Sequence, residues 1–165
     1  MDFEIRSATP ADYDAIARIS VEAYRDGGHF AGSAGDYESS VRDAAGRAAH
    51  SELLVAVDSD GAVLGSVTVC PPGSEMAEIS RDGELEFRML AVSPQAQGRG
   101  VGEALTRACL ERGRQLGCRA VAICTRADVA LNAQRLYRRL GFERIPERDW
   151  SPLPGVELIA WSASL

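Results

Sequence analysis

The chain has 165 residues, 45% of them hydrophobic and 25% charged, a balance that argues against disorder and fits one globular domain spanning residues 1–165. No apolar run approaches the roughly 20 residues of a membrane span, and Met1 to Arg6 lack the basic-then-apolar pattern of a secretory signal, so a cytoplasmic protein is expected. The net charge of −6 argues against bulk nucleic-acid binding; residues 1–86 hold 17 acids against 6 arginines, residues 87–165 only 7 acids against 12 arginines, as suits a chain holding an anion with its second half.

Phe3 to Arg6 reads as a short strand. Thr9-Pro10-Ala11-Asp12 opens a helix, with Thr9 as N-cap and Pro10 at the first helical position. Ile16, Ile19, Ala23 and Tyr24 continue at helical spacing until Gly27-Gly28. The small, polar stretch from His29 to Tyr37 is a loop, and a second helix covers about 38–49. Leu53 to Val57 and Val63 to Val69 form a hairpin across Asp58-Ser59-Asp60-Gly61.

After a polar loop opened by Pro71-Pro72-Gly73, the run Glu84 to Val92 alternates. Leu85, Phe87 and Met89 take one face, and Glu84, Glu86, Arg88, Leu90 and Val92 the other; a bulge would exchange the faces. A glycine-rich turn at Gln97 to Gly102 leads into a helix with Val101, Ala104, Leu105, Ala108, Cys109 and Leu116 on one side. Ala120 to Cys124 is a buried-type strand, and Asp128 opens a helix carrying Ala133, Leu136, Tyr137 and Leu140 at core spacing. Phe142 to Ile145 and Val156 to Trp161 complete the order βααβββαβαββ. The expected fold is α/β (α+β), a mixed, mostly antiparallel central sheet with helices on both faces.

Every one of the 18 basic residues is arginine, which excludes a lysine Schiff base and a Walker lysine. Cys70, Cys109, Cys118 and Cys124 form no CxxC pair and read as reduced thiols. His29 and His50 have no cysteine nearby, so no metal site is expected.

Gln97-Gly98-Arg99-Gly100-Val101-Gly102 sits between an apolar strand and a helix. There, glycines let backbone N–H groups approach a ligand, and the helix N-terminus favours an anion such as pyrophosphate. A P-loop is excluded because Gly102 is followed by Glu103-Ala104, and a dinucleotide fingerprint beginning at Gly98 fails at Glu103.

These residues carry a family resemblance. Leu90-Ala91-Val92 followed by SPQAQGRGVGEAL, with LYRRLGF some 35 residues on, resembles the GNAT superfamily of acyl-CoA-dependent N-acyltransferases. Its pyrophosphate signature [RQ]-x-x-G-x-[GA] is matched by Gln97, Gly100 and Gly102, and in a second register by Gln95, Gly98 and Gly100. IRSATPAD at the start and GF-plus-strand at the end extend the resemblance over nearly the whole chain.

The resemblance implies an N-acetyltransferase with acetyl-CoA as acyl donor and no metal. Leu90, Ala91 and Val92 would run along the pantetheine arm. Gln97, Gly98, Arg99, Gly100, Val101 and Gly102 would wrap the pyrophosphate, with Arg135 or Arg138 toward the nucleotide. The thioester would enter a gap between this strand and the one carrying Cys124. Glu86 is the candidate base, with Glu84 in reserve, and Tyr137 matches the tyrosine that protonates the departing sulfur. One departure is plain: where family helices often carry asparagine seven residues before the tyrosine, this chain has Ala130, and Asn132 faces elsewhere.

An amine acceptor is expected, a small molecule or a peptide amino group. It would meet residues 24–37 and 147–154, where Asp26, Asp36, Glu38, Glu147 and Asp149 accompany His29, Phe30, Tyr37 and Trp150. Carboxylates beside aromatics suit a cationic amine. No nucleic-acid or membrane partner is expected; homodimerisation is left open. Two other classes remain, an acyl-CoA-binding module without turnover and an interaction protein of the same shape.

Overall fold

The computed structural model describes residues 2–30 and 35–165. β1 is Phe3–Ser7, and one 3-10 turn at Pro10–Asp12 leads into α1 (Tyr13–Asp26). Asp12 makes that junction. Its carboxylate accepts the Thr9 backbone N–H at 2.8 Å and two Arg6 guanidinium hydrogen bonds at 2.8 and 3.1 Å. The Arg6 hydrogen bonds lower its pKa to about 2 against the opposing effect of burial.

The single helix expected over 38–49 is two, α2 (Gly35–Arg42) and α3 (Ala44–His50). Asp43 breaks them: its backbone leaves helical space at ψ 70°, and its side chain accepts the Gly46 N–H at 2.9 Å as the cap of α3. β2 (Glu52–Asp58) and β3 (Val63–Cys70) form the expected hairpin. Asp58 holds its turn by accepting the N–H groups of Asp60 and Ala62, each at 2.9 Å.

β4 (Glu84–Val92) and α4 (Val101–Gln115) follow as expected, except that Leu116 lies beyond the helix and is 52% exposed. β5 (Ala120–Arg126) leads to α5 (Leu131–Arg139), which starts three residues later than expected. Asp128 does not cap it, because the carboxylate takes two hydrogen bonds from Arg126 instead. β6 (Glu143–Arg144), β7 (Trp150–Leu153) and β8 (Val156–Ser164) close the chain. β7 is absent from the expected order: proline at 152 in a run of only 4 residues hides a hairpin onto β8.

The strands lie in the order β1-β2-β3-β4-β5-β8-β6, with β7 paired to β8. All pairs are antiparallel except β4 with β5, which the α4 crossover joins. On one face Leu105 and Cys109 of α4 and Tyr137 of α5 pack with Leu85, Phe87, Val121, Ile123 and Trp161. On the other, Ile16 of α1 and Ala44 of α3 meet Leu53, Val55 and Val57, while Val21 and Val41 meet Met89. No helix among the described residues is long and apolar enough to cross a membrane.

Replacing Asp12 by Asn is expected to cost about 1–2 kcal/mol at pH 7, from the lost cap and ion pair. The carboxylate's folded-state pKa is depressed, so the stability difference between the two proteins is present above the ordinary aspartate range and vanishes as pH falls toward about 2. Urea unfolding at stepped pH measures both quantities.

Candidate active site

β4 and β5 run together only at Glu84–Ala120, Leu85–Val121 and Glu86–Ala122; beyond Glu86 no ladder joins them. The divergence coincides with a bulge in β4. Against β3, Thr68 pairs with Arg88 but Ser66 pairs with Ala91, so β4 holds one extra residue, and Met89 sits at φ 55°. The bulge corrects the alternation expected for this strand. Met89 leaves Leu85 and Phe87 and packs with Val21 and Val41 on the opposite face, while Leu90 and Val92 join the α4 side.

The gap is a cleft of about 230 Å³. Phe87 to Leu90 of β4 and Cys124 to Arg126 of β5 line it, joined by Ala130 just before α5, by Ala133 and Tyr137 of α5, and by Pro152, Leu153, Val156 and Leu158. Tyr24, His29 and Tyr37 add an aromatic wall, the Tyr24 and His29 rings stacked at 4.5 Å. Ala130 thus lines the cleft at the position of the missing asparagine, whereas Asn132 is exposed and accepts a hydrogen bond from Arg135 at 3.3 Å.

Tyr137 is 4% exposed, wedged between Phe87, edge-on with ring centroids 5.8 Å apart, and Phe142, tilted at 5.5 Å. Burial raises its pKa, so the phenol keeps its proton at neutral pH. Burial likewise raises the Cys124 thiol to about 12, which makes it a poor nucleophile. Burial, then Arg126, lowers the His29 pKa and keeps the imidazole neutral.

The glycine turn lies at the same end of β4. Gly98 and Gly100 hold φ 80° and 82°, a left-handed region costly for any other residue, and a Cβ at either would meet nothing within 4 Å. Backbone conformation, not packing, therefore requires these glycines, and the surface over the turn stays open. Gly102 lies in the first turn of α4, where an added Cβ would stand 3.6 Å from Val92 and from Leu136, the neighbour of Tyr137. Ala104 makes the first helical hydrogen bond, to Gly100, so the N–H groups of Val101, Gly102 and Glu103 precede the ladder. Gln97 is exposed and extended. Arg99 reaches Asp2 at 2.6 Å, and Arg138 stands over the Trp161 ring at 4.9 Å rather than beside the turn. Arg139 and Arg107, not singled out in the sequence, flank Glu103 at the start of α4 at 2.8 and 3.2 Å.

The structure does not put Glu86 into the cleft lining. The residue is fully buried, and its carboxylate accepts four backbone hydrogen bonds, from Glu78 at 3.0 Å to each oxygen, from Ile79 at 2.9 Å and from Ser80 at 2.8 Å. Its strand neighbours bind the same loop. Glu84 accepts the Arg81 N–H at 2.8 Å, and Arg88 donates to the Met76 carbonyl at 3.0 Å. Burial pushes the Glu84 carboxyl up, but its hydrogen bonds with Arg148 and Arg81 prevail and lower it.

The carboxylate that does line the cleft is Glu78, with Arg88 Nε 3.0 Å from its Oε1. Burial raises its pKa against the pull of Arg88. Sequence reasoning missed it because residues 71–83 show no periodicity that would orient a side chain. Of the acidic residues expected around the acceptor, Glu38 pairs with Arg25 at 2.6 Å and Asp149 with Arg144 at 2.6 Å. The Asp36 side chain lies outside the described residues.

Residues 13–142 match the Acetyltransferase (GNAT) family. The chain is 38% identical over 111 residues to a mycothiol acetyltransferase of Cellulomonas flavigena, a match covering 62% of this chain and 32% of that protein. The chain therefore spans about a third of that curated relative. A GCN5-related N-acetyltransferase structure from Kribbella flavida superposes with a TM-score of 0.71 at 26% identity, over 99% of this chain and 98% of that one. The Thermoplasma acidophilum PaiA N-acetyltransferase, solved in complex with coenzyme A, shares the fold with a TM-score of 0.74 at 14% identity, over the full length of both chains. With a family match over most of its length and its strand-splayed cleft beside a glycine turn, the chain belongs to the GNAT acetyltransferase family.

Proposed function

We propose that the chain transfers an acetyl group from acetyl-CoA to an amine by direct attack within a ternary complex. The observation that carries this reading is the shared location of two features. An open, glycine-enforced helix N-terminus lies at the end of β4 where β4 and β5 part to form a cleft. The N–H groups at the start of α4, with Gln97, Gly98, Arg99 and Gly100, would hold the pyrophosphate. Leu90, Ala91 and Val92 would hold the pantetheine arm along the edge of β4 that β5 has left. Acetyl-CoA supplies the activated acyl carbon and a thiolate leaving group.

Tyr137 keeps its proton and lies in the cleft, so it can donate to the thiolate as the carbon–sulfur bond breaks. A backbone N–H of β4, Val92 or its neighbour, would stabilise the tetrahedral oxyanion. The aromatic wall beside Glu78 suits an ammonium-bearing acceptor. The sealed Glu86 favours a second reading, an acyl-CoA-binding module without turnover, which thiol release by the wild-type protein would exclude.

Calorimetric titration with acetyl-CoA, free CoA and 3′-dephospho-CoA tests the donor site, with saturable micromolar binding expected. Gly100→Val is expected to weaken binding at least tenfold while the protein stays folded, because valine at φ 82° costs about 1–2 kcal/mol and its side chain stands over the anion site. Tyr137→Phe is expected to leave acetyl-CoA affinity unchanged and to lower kcat by about 10²-fold or more, measured as thiol release.

A further inference from the structure

We infer that Glu78, on the loop between β3 and β4, takes the proton of the acceptor ammonium, and that Glu86 is the positioning residue that holds Glu78 in place through its backbone. The inference rests on the acetyl-transfer reading and assigns the base within it.

Glu78 is the one carboxylate among the described residues lining the cleft. Its side chain is 23% exposed, sheltered yet reachable, and Arg88 orients it from 3.0 Å. Glu86 lacks both properties. Its two oxygens together receive the N–H groups of three successive residues, which ties the carboxylate to the loop backbone and away from the cleft lining. The first of those residues is Glu78 itself. Arg148 secures the other side of the loop by donating to the Ile79 carbonyl at 3.3 Å.

The titratable groups coupled electrostatically to Glu78 are Arg88 and Glu86 of β4, Tyr37 of α2, Cys70 of β3 and Cys124 of β5. Arg88 is the cation among them, and its pull on the carboxylate opposes the burial that raises the basicity of Glu78. His29, the other base in the lining, is stacked on Tyr24 at 4.5 Å, and burial lowers its basicity.

In the step itself the ammonium N–H bond breaks and its proton moves to the Glu78 carboxylate. The freed nitrogen lone pair forms the carbon–nitrogen bond at the thioester carbonyl. As the carbon–sulfur bond breaks, the electron pair leaves on sulfur, which takes the Tyr137 proton. The second proton lost by nitrogen restores the phenol. Glu78 then returns its proton to water, the one proton released per turnover.

The test begins with wild-type protein, acetyl-CoA and a panel of primary amines: tyramine, putrescine and an alanine-initiated peptide. The amine giving the fastest thiol release is then used to record kcat/KM against pH for Glu78→Gln, Glu78→Asp, Glu86→Gln and His29→Asn. Acetyl-CoA affinity and thermal unfolding are measured for each. Glu78→Gln is expected to lose 10²–10⁴-fold and the acid limb that levels off below the amine's own pKa, its residual rate rising instead all the way to that pKa. Glu78→Asp is expected to recover that limb at reduced rate. Glu86→Gln is expected to lower the rate and raise KM while keeping the limb. All four are expected to bind acetyl-CoA as wild type does. A limb that survives in Glu78→Gln, or that disappears in Glu86→Gln or His29→Asn, overturns the assignment alone. A wild-type protein that binds acetyl-CoA but releases no thiol with any amine overturns the transfer reading beneath it.

Discussion

The Glu86 carboxylate sits where no water reaches it and where an unpaired charge would cost many kcal/mol. It is tolerated because the backbone of residues 78–80 curls around it and offers three N–H groups, which make four hydrogen bonds to its two oxygens. The dependence is mutual. If residues 78–80 moved away, the carboxylate would be stranded, and without it three consecutive backbone N–H groups would lose their acceptor. Glu84 and Arg88, two residues to either side on the same strand face, bind the loop at Arg81 and Met76. One strand face thus fixes a segment that has almost no regular structure of its own, and with it one wall of the cleft.

The opening of the cleft has a separate cause. In a sheet that continued its ladder, β4 and β5 would share backbone hydrogen bonds along their whole length and leave nothing between them. The extra residue at Met89 bends β4 after its third pairing with β5. The bulge also decides which side chains meet which layer, sending Met89 toward α1 and α2, and Leu90 and Val92 toward α4. The parting of the strands and the side-chain assignment of its walls follow from the same residue.

Much of the architecture was legible in the sequence, for identifiable reasons. The strong signals were periodic or conformational: the alternation of Glu84 to Phe87, the helical spacing of Val101 to Cys109, and the glycines at 98 and 100, whose positive φ a linear pattern can announce. Tyr137 was legible through its LYRRLGF context, and the structure puts it in the cleft. Illegible features depended on partners distant in sequence. Asp43 broke a helix by leaving helical space. Trp150–Leu153 became a strand only because β8 was available to pair with it. Glu86 looked like an available base on an alternating strand, and only the fold shows the loop that closes over it. Glu78 had no pattern to orient it, since its direction is set by the N–H groups that Glu86 draws inward.

Three ion pairs that hold this region are made by guanidinium groups: Arg88 with Glu78, and Arg119 and Arg148 with Glu84. A guanidinium stays protonated at any physiological pH and offers no free lone pair to an electrophile. Lysines in the same places would release a small fraction of neutral amine beside a reactive thioester, and each such event would erase a cation that shapes the cleft. A scaffold braced by arginine is chemically inert toward the acyl group it is proposed to handle.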